Sequence, residues 1–135
     1  MNRLLLAIDR FDSGQVALVF AAELATAAGA EVTVLHVRER AVHPLVPPLE
    51  SPTDAQALID EAVFCLRQAG IAAEGRMRSL RADHVARSIV YESKESRCDA
   101  IVLGSRRLRG IERASGRAQP SRDHDLTRDT CHRLR

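Results

Sequence analysis

The sequence predicts one α/β domain built on a parallel sheet that helices cover on both faces. Short apolar runs, bounded by charges and glycines and too short for helices, are typical of buried parallel strands. These runs alternate with amphipathic helical segments, and such alternation with right-handed crossovers gives a parallel sheet. A chain of 135 residues with 45% hydrophobic content is long enough to bury an ordinary core as one domain.

The first strand, helix and second strand follow one another with short connections. Residues 3–9 form an apolar run that ends at Asp9. The helix is expected over 14–28, where Gly29 supplies the left-handed backbone that ends many helices. A second strand is expected over 31–37, which is rich in β-branched residues. The predicted inward stripe of the helix is Val16, Phe20, Leu24 and Ala27.

A proline-bearing segment at 38–53 separates this part from a second helix and a third strand. Prolines at this density exclude a central strand and break helices. We expect the second helix over 54–69, capped by Asp54, and a third strand over 71–79 whose charges suit a sheet edge. The inward stripe of that helix is regular: Ala55, Leu58, Ile59, Ala62, Val63 and Leu66.

The last predicted elements are a third helix over 82–95 and a fourth strand over 100–103. The strand stops at Gly104 and Ser105. In open α/β sheets, ligands bind in the crevice beyond the carboxyl ends of the strands, so this end is a candidate site. The residues expected to face inward from the third helix are Val85, Ala86, Ile89 and Val90.

Charge is unevenly distributed along the chain. Residues 1–104 carry 11 Lys and Arg against 14 Asp and Glu, a net of −3, whereas residues 105–135 carry 9 Arg against 4 acids, a net of +5. Aromatic residues make up 3%, which argues against a base-stacking surface for nucleic acid. No apolar run approaches the roughly 20 residues of a membrane helix, and no secretory signal is evident. We therefore expect a cytoplasmic protein without membrane or nucleic-acid partners.

Four segments of the chain stand out together by their order and separation. They are Asp9 after strand one, the helix that opens at Ser13, the run Val32-Thr33-Val34-Leu35-His36-Val37, and the stretch from Asp99 to Arg106. In combination they resemble the universal stress protein family. The resemblance covers roughly residues 3–113. It implies a doubly wound, flavodoxin- or Rossmann-like open sheet of order 3-2-1-4-5, with strands one and four adjacent where the winding reverses.

Members of this family that bind ATP imply a nucleotide site on this chain. Asp9 and Val37 match the positions that lie near adenine and ribose, and Gly104 matches the first glycine of the phosphate-binding pattern G-x2-G-x9-G-[S/T]. Ser105 and Arg106 follow Gly104 and are candidates for the same site. Arg107 occupies the place of the second glycine, and the closing pair is Arg117 and Ala118.

The departure from the glycine pattern leaves two interpretations open. Either Arg106, Arg107 and Arg109 hold an anion through their guanidinium groups, or the ATP site is degraded or was never present. Candidate cofactor-binding residues are Asp9, Val37, Gly104, Ser105, Arg106 and Arg107, with ATP or another adenine nucleotide bound weakly.

The C-terminal segment also departs from the family. Residues 1–113 are assigned to the universal stress protein-like domain and 114–135 to a basic tail that is expected to be disordered, so that the fourth helix and fifth strand would be degraded. His124, Cys131 and His132 fit no closed metal site. The predicted function is that of a stress-response factor and not an enzyme. The alternatives are a protein-interaction or homodimerisation module without a nucleotide, and a truncated relative that has lost its function.

Overall fold

The computed structural model describes residues 1–9, 12–40, 50–81 and 84–104. In these ranges, no helix is long and apolar enough to cross a membrane. Strands and helices alternate along the chain in the expected way. The elements, in order, are β1 (Arg3–Ile8), α1 (Asp12–Ala28), β2 (Glu31–Glu39), α2 (Pro52–Gln68), β3 (Ala73–Leu80), α3 (Val85–Glu95) and β4 (Ala100–Leu103).

The four strands form a parallel sheet of order β3-β2-β1-β4. This confirms the doubly wound fold, with β1 and β4 adjacent at the reversal of the winding. The expected fourth helix, fifth strand and basic tail fall outside the described residues, as does the predicted domain boundary at residue 113.

Alternating side chains divide the sheet into two faces. Leu4, Leu6 and Ile8 of β1 belong to the main core together with α1 and α2. On the other face, Glu92 of α3 contacts Arg76 of β3. The two faces are thus covered by different helices, as expected for a sheet that is wound in both directions.

The predicted inward face of α1 is wrong except at Leu24, which is partly buried against the core. Val16 is 71% exposed and Phe20 is 56% exposed, whereas the residues buried against the sheet are mostly alanines. Small side chains allow the helix backbone to lie close to the sheet, where bulkier residues would hold it away. The buried hydrophobic residues of α1 are Ala17, Leu18, Ala21, Ala22 and Ala25.

The stripe of α2 is confirmed except for Leu58, which is only partly buried. Its expected cap is corrected, because Ser51 and not Asp54 precedes the helix. The hydroxyl of Ser51 accepts a 3.1 Å hydrogen bond from the amide of Asp54, and Pro52 occupies the first turn.

The predicted face of α3 is correct only in part. Val85 and Ile89 are half-buried, but Ala86 and Val90 are exposed. The buried residues of α3 are Glu92 and Ser93. The helix is oriented by a buried carboxylate that meets arginines of β3, and an apolar pattern alone does not reveal such a contact.

Candidate functional site

A cleft of about 420 Å³ opens beyond the carboxyl ends of β1, β2 and β4. This volume is in the range of small-molecule sites. The strand ends contribute Ile8, Asp9, Val37, Glu39, Leu103 and Gly104, and the first turns of α3 contribute Val85, Ala86 and Ile89. α3 therefore forms one wall of the cleft and does not fill the gap between the strands.

The register of the sheet explains why distant residues meet at this cleft. Ala7 of β1 pairs with Leu103 of β4, and Ile8 pairs with His36 of β2. Asp9, Val37 and Gly104 each follow one of these paired residues directly. All three strands run in the same direction, so their last residues lie at one edge of the sheet.

Three of the six predicted site residues lie in the cleft, namely Asp9, Val37 and Gly104. The other three, Ser105, Arg106 and Arg107, fall outside the described residues. The structure thus brings together the positions matched to adenine and ribose with the first glycine of the phosphate pattern. The phosphate side of the predicted site stays a prediction.

Asp9 is closely packed against the start of α1. A Cβ atom on Gly14 would lie 2.8 Å from the carbonyl oxygen of Asp9 and 3.3 Å from its Oδ1 atom. A real Cβ atom does not approach a backbone oxygen so closely without displacement. The glycine therefore allows the first turn of α1 to approach the end of β1.

Sequence reasoning missed the acidic and apolar walls of the cleft. Glu39 lies on the same face of β2 as Val37, two residues further on, and brings a second carboxylate to the mouth. Ile89 and Val85 were expected to face the core, and they instead line the cleft. The period-two alternation that begins at Val37 could have located Glu39.

Side chains on the opposite face of β2 contact Glu50, which lies two residues before the start of α2. His36 is 4% exposed, and its Nδ1 atom lies 2.9 Å from the carbonyl oxygen of Ile8. Its Nε2 atom lies 2.6 Å from Oε1 of Glu50. Arg38 donates a 3.0 Å hydrogen bond from Nε to the carbonyl oxygen of Glu50. Residues of β2 therefore bind Glu50 on one face and line the cleft on the other.

Metal-binding chemistry finds no support among the described side chains. Within residues 1–9, 12–40, 50–81 and 84–104, no three His, Cys, Asp or Glu residues are placed to hold an ion together. The cleft carries two carboxylates, Asp9 and Glu39, on otherwise mostly apolar walls. Such walls suit a flat organic group that offers hydrogen-bond donors to the carboxylates.

Comparison with known proteins agrees with the parallel α/β fold described above. The model of the universal stress protein family matches residues 1–116. Among curated proteins, no sequence gives a significant match. A universal stress protein family structure from Burkholderia pseudomallei superimposes with a TM-score of 0.69 at 22% identity, covering 87% of this chain and 91% of that chain.

Two other similar structures contain nucleotides. The universal stress protein of Archaeoglobus fulgidus, in complex with dAMP, gives a TM-score of 0.60 at 25% identity, covering 75% of this chain and 78% of that one. A universal stress protein in complex with cAMP gives 0.57 at 17% identity, with 76% and 75% covered.

Proposed function

Because the chain belongs to the universal stress protein family, we propose that it is a stress-response factor that binds an adenine nucleotide in the cleft beyond β1 and β4. The observation that carries the proposal is that Asp9, Val37 and Gly104 line a single cleft. The similar structure from Archaeoglobus fulgidus is a complex with dAMP, which supports an adenine nucleotide as the ligand class.

Each of the three residues has a chemical role in this proposal. The Asp9 carboxylate accepts hydrogen bonds from the ribose hydroxyls or the adenine amino group. Val37 contributes an apolar surface to a base, as does Ile89 from the opposite wall. Gly104 has no side chain beyond its Cα atom, so a phosphate could approach its backbone closely.

The number of phosphates that the site accepts depends on residues beyond Gly104. Ser105, Arg106 and Arg107 are proposed to contact phosphate oxygens by hydroxyl and guanidinium donors. Only the first glycine of the family's phosphate pattern is matched, and Arg107 puts a long side chain where backbone approach is needed. We therefore propose weak binding, and ATP is one candidate among adenine nucleotides.

Calorimetric titration of the purified full chain with AMP, dAMP and ATP tests the proposal. We expect saturable binding that Asp9→Ala reduces at least about tenfold, since a hydrogen bond to a charged group contributes about 1.5–3 kcal/mol. Glu23→Ala, at an exposed position of α1, is the matched control and should bind like the wild type. Absence of saturable binding up to millimolar nucleotide would refute the proposal.

A second candidate function is a protein-interaction or homodimerisation module that needs no nucleotide. It is favoured by the exposure of Val16 and Phe20, which lie one turn apart on the outer face of α1. Sedimentation would distinguish the candidates. If copies of the chain associate through this face, Phe20→Ser should abolish association and Asp9→Ala should leave it unchanged. If the protein is a nucleotide receptor, Asp9→Ala should weaken nucleotide binding and Phe20→Ser should leave it unchanged.

Three further parts of the functional assignment are proposed from the sequence alone. They are a cytoplasmic location, a role that is not enzymatic, and the absence of nucleic-acid partners. The enzymatic alternative is disfavoured because Ser105, the hydroxyl after β4, lacks the G-x-S-x-G context of a strand-to-helix nucleophile. A truncated relative without function would be indicated by poor solubility of the purified chain.

A further inference from the structure

The cleft lies between two layers of the fold, the sheet and α3. Val37 lines it from the sheet, and Val85 and Ile89 line it from the helix. Neither of these two helix residues is fully buried. The buried residues of α3 are both polar, namely Glu92 and Ser93. Polar contacts therefore take a large part in holding the helix against the sheet.

Glu92 bridges the same two layers beside the cleft. Its Oε1 atom accepts a 2.9 Å hydrogen bond from Nη1 of Arg76, and its Oε2 atom accepts one of 3.0 Å from Nε of Arg78. In the sheet register, Arg76 is the partner of Leu35 and Arg78 is the partner of Val37. Both arginines therefore share a face with residues that line the cleft. The clamp formed by Glu92, Arg76 and Arg78 spans the gap in which a ligand would lie.

The clamp allows one arrangement of the helix on the sheet. The Glu92 side chain is fully buried, and each of its two oxygens is bonded to a different arginine. Hydrogen bonds between ionised groups are short and directional, so two of them at one carboxylate fix the positions of the partners. Ile89 lies three residues, about one helical turn, before Glu92. The clamp therefore determines how far Ile89 stands from Val37.

We propose that Glu92 is a positioning residue for ligand binding, because the clamp holds Val37 and Ile89 at the separation that a flat base requires. Two apolar walls that both contact a planar ring are about 7–8 Å apart, twice the usual distance of a carbon contact. Glu92 is not among the described residues that line the cleft, so it acts through α3. The effect on affinity rests on the proposed nucleotide function, whereas the effect on the helix does not.

Two variants loosen the clamp in different ways. In Glu92→Gln, one carboxylate oxygen becomes an amide nitrogen that cannot accept, so one arginine loses its partner on the helix. Arg78→Lys keeps the positive charge, but one flexible ammonium replaces the Nε and Nη2 donors that face Oε2. Because Arg78 is about half-exposed, this variant should fold even if the first does not. Glu95→Gln and Arg87→Lys, at exposed positions of α3, are the matched controls.

Methyl NMR of the full chain measures the hold on the helix without a ligand. In both clamp variants, we expect the methyl signals of Val85 and Ile89 to shift or to show exchange on the μs–ms timescale, which relaxation dispersion detects. The methyl signals of Ile59 and Val63, buried in α2 on the other face of the sheet, should stay unchanged. If Val85 and Ile89 show neither effect, or if the α2 signals change equally, the inference is overturned.

Titration with AMP separates positioning from charge. Glu92→Gln removes a negative charge near the cleft, which by itself would favour an anionic ligand. A looser gap has the opposite effect, since the walls no longer contact the base together. We expect affinity to fall at least about fivefold in Glu92→Gln and at least about twofold in Arg78→Lys, with both controls unchanged. Unchanged or tighter binding by the clamp variants would overturn the inference.

The two measurements also distinguish this inference from the proposed function. If the wild type binds no AMP up to millimolar concentration while Val85 and Ile89 respond selectively in the variants, the proposed function fails and the positioning of α3 by Glu92 stands. If AMP binds to the wild type and to the clamp variants alike, the proposed function stands and the inference is wrong.

Discussion

The carboxylate of Glu92, fully buried in α3, lies 2.9 Å from Nη1 of Arg76 on the outer strand β3. Its other oxygen accepts a 3.0 Å hydrogen bond from Nε of Arg78. Both arginines are about half-exposed, so their charges remain hydrated while the carboxylate does not. This clamp, made of Glu92, Arg76 and Arg78, fixes the helix that forms one wall of the cleft to the far edge of the sheet.

We expect Glu92→Gln to lower the free energy of unfolding by about 1–3 kcal/mol, because a buried amide replaces a carboxylate that accepts charged donors. Glu95→Gln, at an exposed position of the same helix, should change it by less than about 0.5 kcal/mol. Urea unfolding measures both. Equal stability of the two variants would show that the clamp contributes nothing.

Asp99 joins the start of β4 to the start of β1 in a pH-dependent way. Its Oδ2 atom accepts hydrogen bonds from the backbone amides of Asn2, at 2.7 Å, and Arg3, at 3.1 Å. These bonds, that of Asn2 first, lower the pKa of the Asp99 carboxyl below its ordinary value. A carboxyl whose pKa is lower in the folded state stabilises the fold above its unfolded pKa, and this contribution is lost as the pH falls through the folded value.

Asp99→Asn should therefore be less stable than the wild type at pH 7, with a difference that shrinks below about pH 4. The midpoint of urea unfolding, compared at neutral and acidic pH, measures this convergence. Asp60→Asn, on the exposed side of α2, serves as a control for the loss of one negative charge. A difference between Asp99→Asn and wild type that persists unchanged at acidic pH would contradict the assignment.

Gly75 of β3 allows α2 to lie against the sheet. A Cβ atom at this position would be 2.2 Å from Cγ2 of Ile59, a fully buried methyl group. Gly75→Ala should lower the free energy of unfolding by about 1–3 kcal/mol through overpacking. Ile59→Ala alone should cost about 2–5 kcal/mol through a cavity. Since the first change supplies a methyl group where the second removes one, the double variant should be more stable than the sum of the two effects predicts, which a double-mutant cycle measures.

The strands could be predicted from the sequence because their apolar runs are short and sharply bounded. The inward face of α2 could also be predicted, because Ile59, Val63 and Leu66 repeat at helical spacing. The α1 face was not, because its periodic large residues, Val16 and Phe20, point outward and its alanines pack inward. Hydrophobic size favours burial of the face with Val16 and Phe20, whereas close approach of the helix to the sheet favours burial of the alanine face.

The part of the candidate cleft that is lined by the ends of the strands could be predicted from the sequence. Asp9, Val37 and Gly104 could be placed together because parallel strands end at one edge and the resemblance supplied the strand order. The α3 wall could not be predicted, because Ile89 was assigned to the core by its pattern alone. Its position follows from the Glu92 clamp, which joins residues that are 14 to 16 positions apart and that no local pattern relates.

Ala86 provides a direct test of whether the cleft is the binding site. It is exposed at the start of α3 and lines the cleft, so Ala86→Phe should fill space there without disturbing the core. We expect this variant to unfold at a urea concentration close to that of the wild type and to bind AMP at least about tenfold more weakly, since a ligand would have to displace the ring. Arg87→Phe, the adjacent exposed position that does not line the cleft, should retain affinity and shows whether an added aromatic ring on α3 is itself harmful. Undiminished binding by Ala86→Phe would place the nucleotide elsewhere on the protein and leave Asp9 without its proposed role.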